Sequence, residues 1–201
     1  NEISAQRIPL KIIGRKNFVS RFQEFFIELN RIFEKDHKEK LWKNEGEIYN
    51  AGIFNGSTSF IMADDIDDDE LYKYKESAGD IDVAFPEELG AKLFRTLKKL
   101  EGKEVISGCQ YIANNASKED AIGNVIIAIV VCDFDGTIIK AQVDFELSEF
   151  TSDNKQTDFS SMAHSSSFKD AKLGLKGVAS KFLLRSLVGS SDEVKTNFIE
   201  V

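Results

Sequence analysis

The run from Asn124 to Leu147 constrains the fold more than any other part of the chain. Asn124 to Phe134 and Thr137 to Leu147 are long β-type stretches, and Asp135-Gly136 between them is the strongest short-range signal for a two-residue hairpin turn. They are predicted to pair antiparallel. From Asp80 to Phe85 polar and apolar residues alternate as on a half-buried strand. Glu47 to Phe54 is compatible with a further short strand, running into a turn at Asn55-Gly56-Ser57-Thr58-Ser59.

Helical periodicity supplies the other half of the fold. Phe18, Phe22, Phe25, Phe26, Leu29, Ile32 and Phe33 recur at three- and four-residue steps between Asn17 and Lys35, the pattern of one buried helix face. Pro86 suits the first position of a second helix, with Glu87 and Glu88 in its first turn and Leu89, Leu93, Phe94, Leu97 and Leu100 on its apolar face. A last helix is predicted near Ser167, where Ser167 and Asp170 form a capping-box pattern, with Leu175, Val178, Phe182, Leu183 and Leu187 inward. The acidic, apolar-poor run from Asp64 to Glu70 reads as a solvated loop, and the polar residues 151 to 166 as a connector. The fold class expected is α/β (α+β): a small mixed sheet with helices packed mainly on one face, in a single domain over residues 1 to 201.

Composition excludes several function classes. With 42% hydrophobic and 30% charged residues the chain belongs with packed globular proteins, not disordered ones. Cys109 and Cys132 are too few and too isolated for a disulfide framework or a zinc site, and His37 and His164 lie far apart. A net charge of −8 opposes non-specific binding to DNA. No apolar run approaches the roughly 20 residues that cross a bilayer, and the start lacks the pattern of a leader, so no membrane is expected and the chain reads as cytoplasmic.

The chemistry concentrates in carboxylates. Asp80 and Asp82 lie two apart on one predicted strand, so both leave the same face with Cα atoms about 6.6 Å apart. Asp144 stands between Val143 and Phe145 on another strand. Three convergent aspartates suit a hard cation such as Mg²⁺, and a two-metal site needs ions roughly 3.5–4 Å apart.

In these motifs the chain resembles the DNA polymerase β-like nucleotidyltransferase superfamily. That family's signature is a Gly-Ser pair, a hydrophobic-Asp-hydrophobic-Asp strand and a third acid on a later strand. Here Gly56-Ser57, Gly79-Asp80-Ile81-Asp82-Val83 and Val143-Asp144-Phe145 match it in order. The resemblance covers about residues 47 to 150, the expected catalytic core, leaving 151 to 201 as connector and C-terminal helix. It implies Mg²⁺ (or Mn²⁺) held by Asp80, Asp82 and Asp144, with the third acid orienting the attacking hydroxyl. It also implies an NTP such as ATP as substrate, with Gly56 and Ser57 on its phosphates. The acceptor (RNA, protein or small molecule) is left open. Residues 58 to 79, between the Gly-Ser pair and Asp80, are a longer interval than the family usually has. The segment from His164 to Leu187 resembles a region of phage-borne members. Lys172 and Lys176, one turn apart on the last helix, could reach a triphosphate, although solvent-facing lysines are the ordinary state of such a helix.

Rival constellations exist. Val131-Cys132-Asp133-Phe134-Asp135-Gly136-Thr137 resembles the nucleophile motif of haloacid dehalogenase-like phosphatases, with Asp133 attacking phosphate and Asp135 as acid/base, yet no later acidic pair follows an apolar strand. Asp65, Asp67, Asp69 and Glu76 imitate a calcium loop, but Glu70 stands where Gly is required. Trp42, Tyr49 and His164 could touch a substrate, while packing or simple exposure accounts for each. A non-catalytic nucleotide-binding or interaction module is the remaining class, against which the retention of all three acids argues.

Overall fold

The computed structural model describes residues 4–49, 53–62, 67–112, 124–148 and 150. After a short helix α1 (Leu10–Ile13), helix α2 (Arg15–His37) crosses the molecule, followed by α3 (Gly46–Tyr49), α4 (Gly56–Met62) and α5 (Asp68–Tyr74). Strand β1 (Asp80–Pro86) leads through a 3-10 turn (Glu87–Leu89) into α6 (Gly90–Leu100), and β2 (Ile106–Ile112), β3 (Val125–Phe134) and β4 (Thr137–Ser148) complete a mixed sheet. Its order is β1-β4-β3-β2, with β1 parallel to β4 and the other pairs antiparallel.

The predicted hairpin is present. Phe134 pairs with Thr137, and the turn residues Asp135 and Gly136 take φ of 52° and 92°, the left-handed pair of a type I′ turn. Helix α2 realises its periodic face: Phe18, Phe22, Phe26 and Phe33 are wholly buried. Phe26 is the hub, its ring 5.6 Å from that of Trp42, 5.4 Å from Phe54 and 6.2 Å from Phe145. One sheet face, formed by Ile81, Val83, Phe85, Val143 and Phe145, closes this core with α2, while Phe94 of α6 meets Tyr111 of β2. The opposite face carries the polar residues of β1 and β4. Truncating Phe26→Ala is expected to cost about 3–5 kcal/mol, because a central ring leaves a cavity that its neighbours cannot all fill. Urea unfolding at constant m would register it.

Three local expectations are corrected. Of the stretch Glu47 to Phe54, expected as a short strand, residues 47–49 belong to helix α3, and Phe54 makes an isolated bridge to Val83. The small residues after Asn55 open helix α4. The acidic run is not a loop throughout: Asp67 caps α5 by accepting a hydrogen bond from Glu70 N at 2.8 Å, and Asp68, Asp69 and Glu70 fill the first turn, where negative charge suits the helix dipole. Leu71 is buried, and Arg15 reaches over to Asp68 at 3.4 Å. Strand β2 was not anticipated. The expected last helix, with Lys172 and Lys176, and the polar connector lie outside the described residues, as does His164. Among the described residues no helix is long and apolar enough to cross a membrane.

Candidate metal centre

The period of two along β1 decides where the acids go. Ile81 and Val83 are fully buried, so Asp80 and Asp82 must leave the opposite face; Val143 and Phe145 do the same for Asp144 on β4. Parallel pairing then sets Asp82 level with Asp144 and Asp80 level with Gln142. One oxygen from each of Asp80, Asp82 and Asp144 lies within 4.8 Å of the others, a group able to hold a metal ion. The three residues singled out from sequence are thus brought together.

The Gly-Ser pair joins them by a route that sequence spacing hides. Along the free edge of β1, Asn55 N donates to Asp82 O at 3.0 Å and Ala84 N to Ile53 O at 2.8 Å, so residues 53–55 lie beside the strand and deliver Gly56 to the carboxylates. Helices α4 and α5 occupy the long interval that follows. Gly56 has φ of 56°, and a Cβ built on it would stand 2.3 Å from Asp82 Oδ2. No side chain fits there. Ser57 follows, half-buried, in the first turn of α4, and Thr58, fully buried, accepts the Asp82 amide on its hydroxyl at 2.9 Å.

Three neighbours of the cluster went unrecognised in the sequence. Gln142 Nε2 donates to both oxygens of Asp144, at 2.9 and 3.2 Å. Glu146, two residues on, accepts from Asn55 Nδ2 at 2.7 Å, a strut between the Gly-Ser turn and β4. The same alternation that exposes Asp144 places Gln142 and Glu146 on its face, so these two were available to a period-two reading. Half-buried Lys75, where α5 ends, lies near Asp80 and Asp82, and nothing in its sequence surroundings announces that.

Burial pushes the Asp144 carboxyl up to about 6; Gln142 opposes this, and Asp80 and Glu146 add to it. An all-oxygen donor set in which Asp80 adds to the upward shift of Asp144 is matched by a hard divalent cation, which fits the residues present. Asn55→Ala would remove the strut while keeping the backbone bond to Asp82. It is expected to lower affinity for Mn²⁺, read by calorimetry, at least as much as it lowers melting temperature; unchanged Mn²⁺ affinity would show the strut to be irrelevant to the centre.

The rival motif is absorbed by turn chemistry. Asp133 Oδ1 accepts from Gly136 N at 2.7 Å, and Asp135 Oδ2 accepts from Asn17 Nδ2 at 2.8 Å, both on exposed residues. Among the described residues neither belongs to a metal-capable group. Trp42 is core and Tyr49 is exposed. Cys132 is buried, its thiol pushed up to about 12 by desolvation, which leaves it inert as a nucleophile. No protein-family model, no curated protein and no solved structure matches this chain.

Proposed function

We propose that the protein is a metal-dependent nucleotidyltransferase that moves a nucleoside monophosphate from an NTP to a hydroxyl or phosphate oxygen of an acceptor, releasing pyrophosphate. The observation that carries this reading is the convergence of Asp80, Asp82 and Asp144 within 4.8 Å beside a glycine whose missing side chain leaves room at Asp82. The ordered resemblance of Gly56-Ser57, Asp80-Ile81-Asp82 and Asp144 to the polymerase β-like superfamily supports the same conclusion.

Asp80, Asp82 and Asp144 would hold Mg²⁺ or Mn²⁺, which when bound neutralises phosphate charge and sharpens the electrophilic phosphorus. Asp144, whose carboxyl burial lifts to about 6, is suited to take the proton of the attacking hydroxyl, and Gln142 fixes its orientation from the side. The Gly56 amide and the Ser57 hydroxyl would hold the terminal phosphates of the donor. The new bond forms between the acceptor oxygen and the α-phosphorus, and the bond to pyrophosphate breaks with its electron pair. Positioning and charge compensation supply the rate. A cytoplasmic setting belongs to the same reading.

The test is incubation of the chain with each α-labelled NTP, Mg²⁺ or Mn²⁺, and pools of RNA, protein or small-molecule acceptors. Label transfer with pyrophosphate release is expected, lost in chelator and in Asp80→Asn, and largely intact in Asp133→Asn. Release of inorganic phosphate from a phosphomonoester, abolished by Asp133→Asn, would replace this reading with the phosphatase.

A further inference from the structure

Helix α4 has seven residues, too few to hold itself together, yet the Gly56-Ser57 turn where it begins has to keep its place against Asp82. Its two ends are tied to different parts of the molecule. At the start, Asn55 N donates to Asp82 O at 3.0 Å, and the buried Thr58 hydroxyl accepts from Asp82 N at 2.9 Å. At the far end the carbonyls of the last turn have no partner inside the helix.

One of those carbonyls is met by a buried cation from another element. Arg15, the first residue of α2, is only 9% exposed, and its Nε donates to Ile61 O at 2.7 Å. Nη1 of the same guanidinium reaches Asp68 Oδ1 in the first turn of α5 at 3.4 Å. The Arg15 amide, which no side chain of α2 caps, donates to the Tyr72 hydroxyl at 2.9 Å. The guanidinium thus joins the end of α4 to the start of α5, and α2, with Phe18 and Phe22 wholly buried, is the fixed side of the joint. Burying a cation is costly, and apolar side chains would suffice if α4 needed only to be covered. What a planar fork adds is direction: it fixes where the end of the helix lies.

We propose that Arg15 is a positioning residue for the donor nucleotide: by pinning α4 at Ile61 it keeps the Gly56-Ser57 turn where the donor's phosphates are held. The inference rests on the nucleotidyltransferase reading and adds a residue to it that acts only through α4, from about 7.5 Å along the helix. Asp80, Asp82 and Asp144 are placed by the pairing of β1 with β4, and residues 53–55 by their own bonds to β1. Loss of the clamp therefore falls on the nucleotide and spares the metal.

The test compares the full-length wild type with Arg15→Met, Arg15→Lys and Tyr72→Phe. Three quantities are read: ATP affinity in Mg²⁺, Mn²⁺ affinity without nucleotide, and hydrogen exchange of the amides from Ser59 to Met62. Arg15→Met, which orphans the Ile61 carbonyl, is expected to weaken ATP binding about tenfold. Arg15→Lys keeps the charge without the fork and should weaken it about threefold, and this milder variant carries the test if Arg15→Met does not fold. In both, Mn²⁺ affinity should stay within about twofold, while exchange in α4 quickens more than in β3 and β4. Tyr72→Phe removes the cap of α2 but leaves the bond to Ile61, so it should lower the melting temperature with ATP affinity unchanged. The proposal is overturned if ATP affinity holds in Arg15→Lys while α4 loosens, if exchange in α4 does not respond, or if Tyr72→Phe loses ATP equally, which would reduce the effect to stability. Failure of the nucleotidyltransferase reading shows separately, in the wild type, as ATP binding that is indifferent to Mg²⁺, and it would take this proposal with it.

Discussion

Asp144→Asn is expected to lose metal-supported transfer by roughly a thousandfold while the metal-free protein melts at a higher temperature than wild type at pH 7.5. The two responses have one cause. Burial, reinforced by Asp80 and Glu146, lifts the folded-state pKa of Asp144 to about 6, above the unfolded value near 3.9. A carboxyl whose folded pKa is raised binds its proton more tightly in the native state. Stability therefore falls as pH rises from about 4 through about 6, and above that the full penalty of the buried charge is present. Asparagine carries no charge and can still accept from Gln142 Nε2, so no buried donor is orphaned. The partial exposure of Asp144 reduces the gain to about 1 kcal/mol, a shift of roughly 2–4 °C. Melting curves of both proteins in chelator between pH 4.5 and 7.5 should diverge as pH increases, with the variant above. A lower melting temperature for the variant at pH 7.5, or retained turnover, would overturn the assignment of Asp144 to a metal-binding cluster.

What could be read from sequence follows from how local the responsible physics is. Asp80, Asp82 and Asp144 were legible because Ile81, Val83, Val143 and Phe145 force them outward by simple alternation, and the hairpin because Asp135-Gly136 supplies the positive φ its turn needs. That Asp82 and Asp144 stand level is a matter of non-local register, and no local pattern contains it. Residues 53–55 beside β1 are held by two backbone hydrogen bonds and a bridge, too little for a strand signal, yet they put Gly56 in place. In α5 the acidic residues that suggested a solvated loop are favourable at a helix start, and Leu71 is the buried residue that anchors it. Lys75 comes within electrostatic range of Asp80 and Asp82 from the end of α5, which only the folded chain displays.

Gly56→Ala is expected to damage both the fold and the centre, and a second glycine separates the two effects. At φ of 56° an alanine adopts a left-handed backbone costing about 1–2 kcal/mol, and its Cβ would stand 2.3 Å from Asp82 Oδ2. The Asn55 amide is bonded to the Asp82 carbonyl and the Asp82 amide to the Thr58 hydroxyl, so the Asp82 side chain has to rotate, carrying its carboxylate out of the group it forms with Asp80 and Asp144. A displacement of about 1 Å in such a constellation lowers turnover by about a hundredfold. Gly136 has φ of 92° with nothing within 4 Å of a built Cβ, so Gly136→Ala should carry a comparable backbone cost at the hairpin and leave the carboxylates undisturbed. Melting temperatures of the two variants should fall together, whereas Mn²⁺ affinity and nucleotidyl transfer should collapse in Gly56→Ala alone. Parallel loss of activity in both would reduce the effect to destabilisation, and undiminished Mn²⁺ binding in Gly56→Ala would mean that the close approach of this turn to Asp82 plays no part in the metal centre.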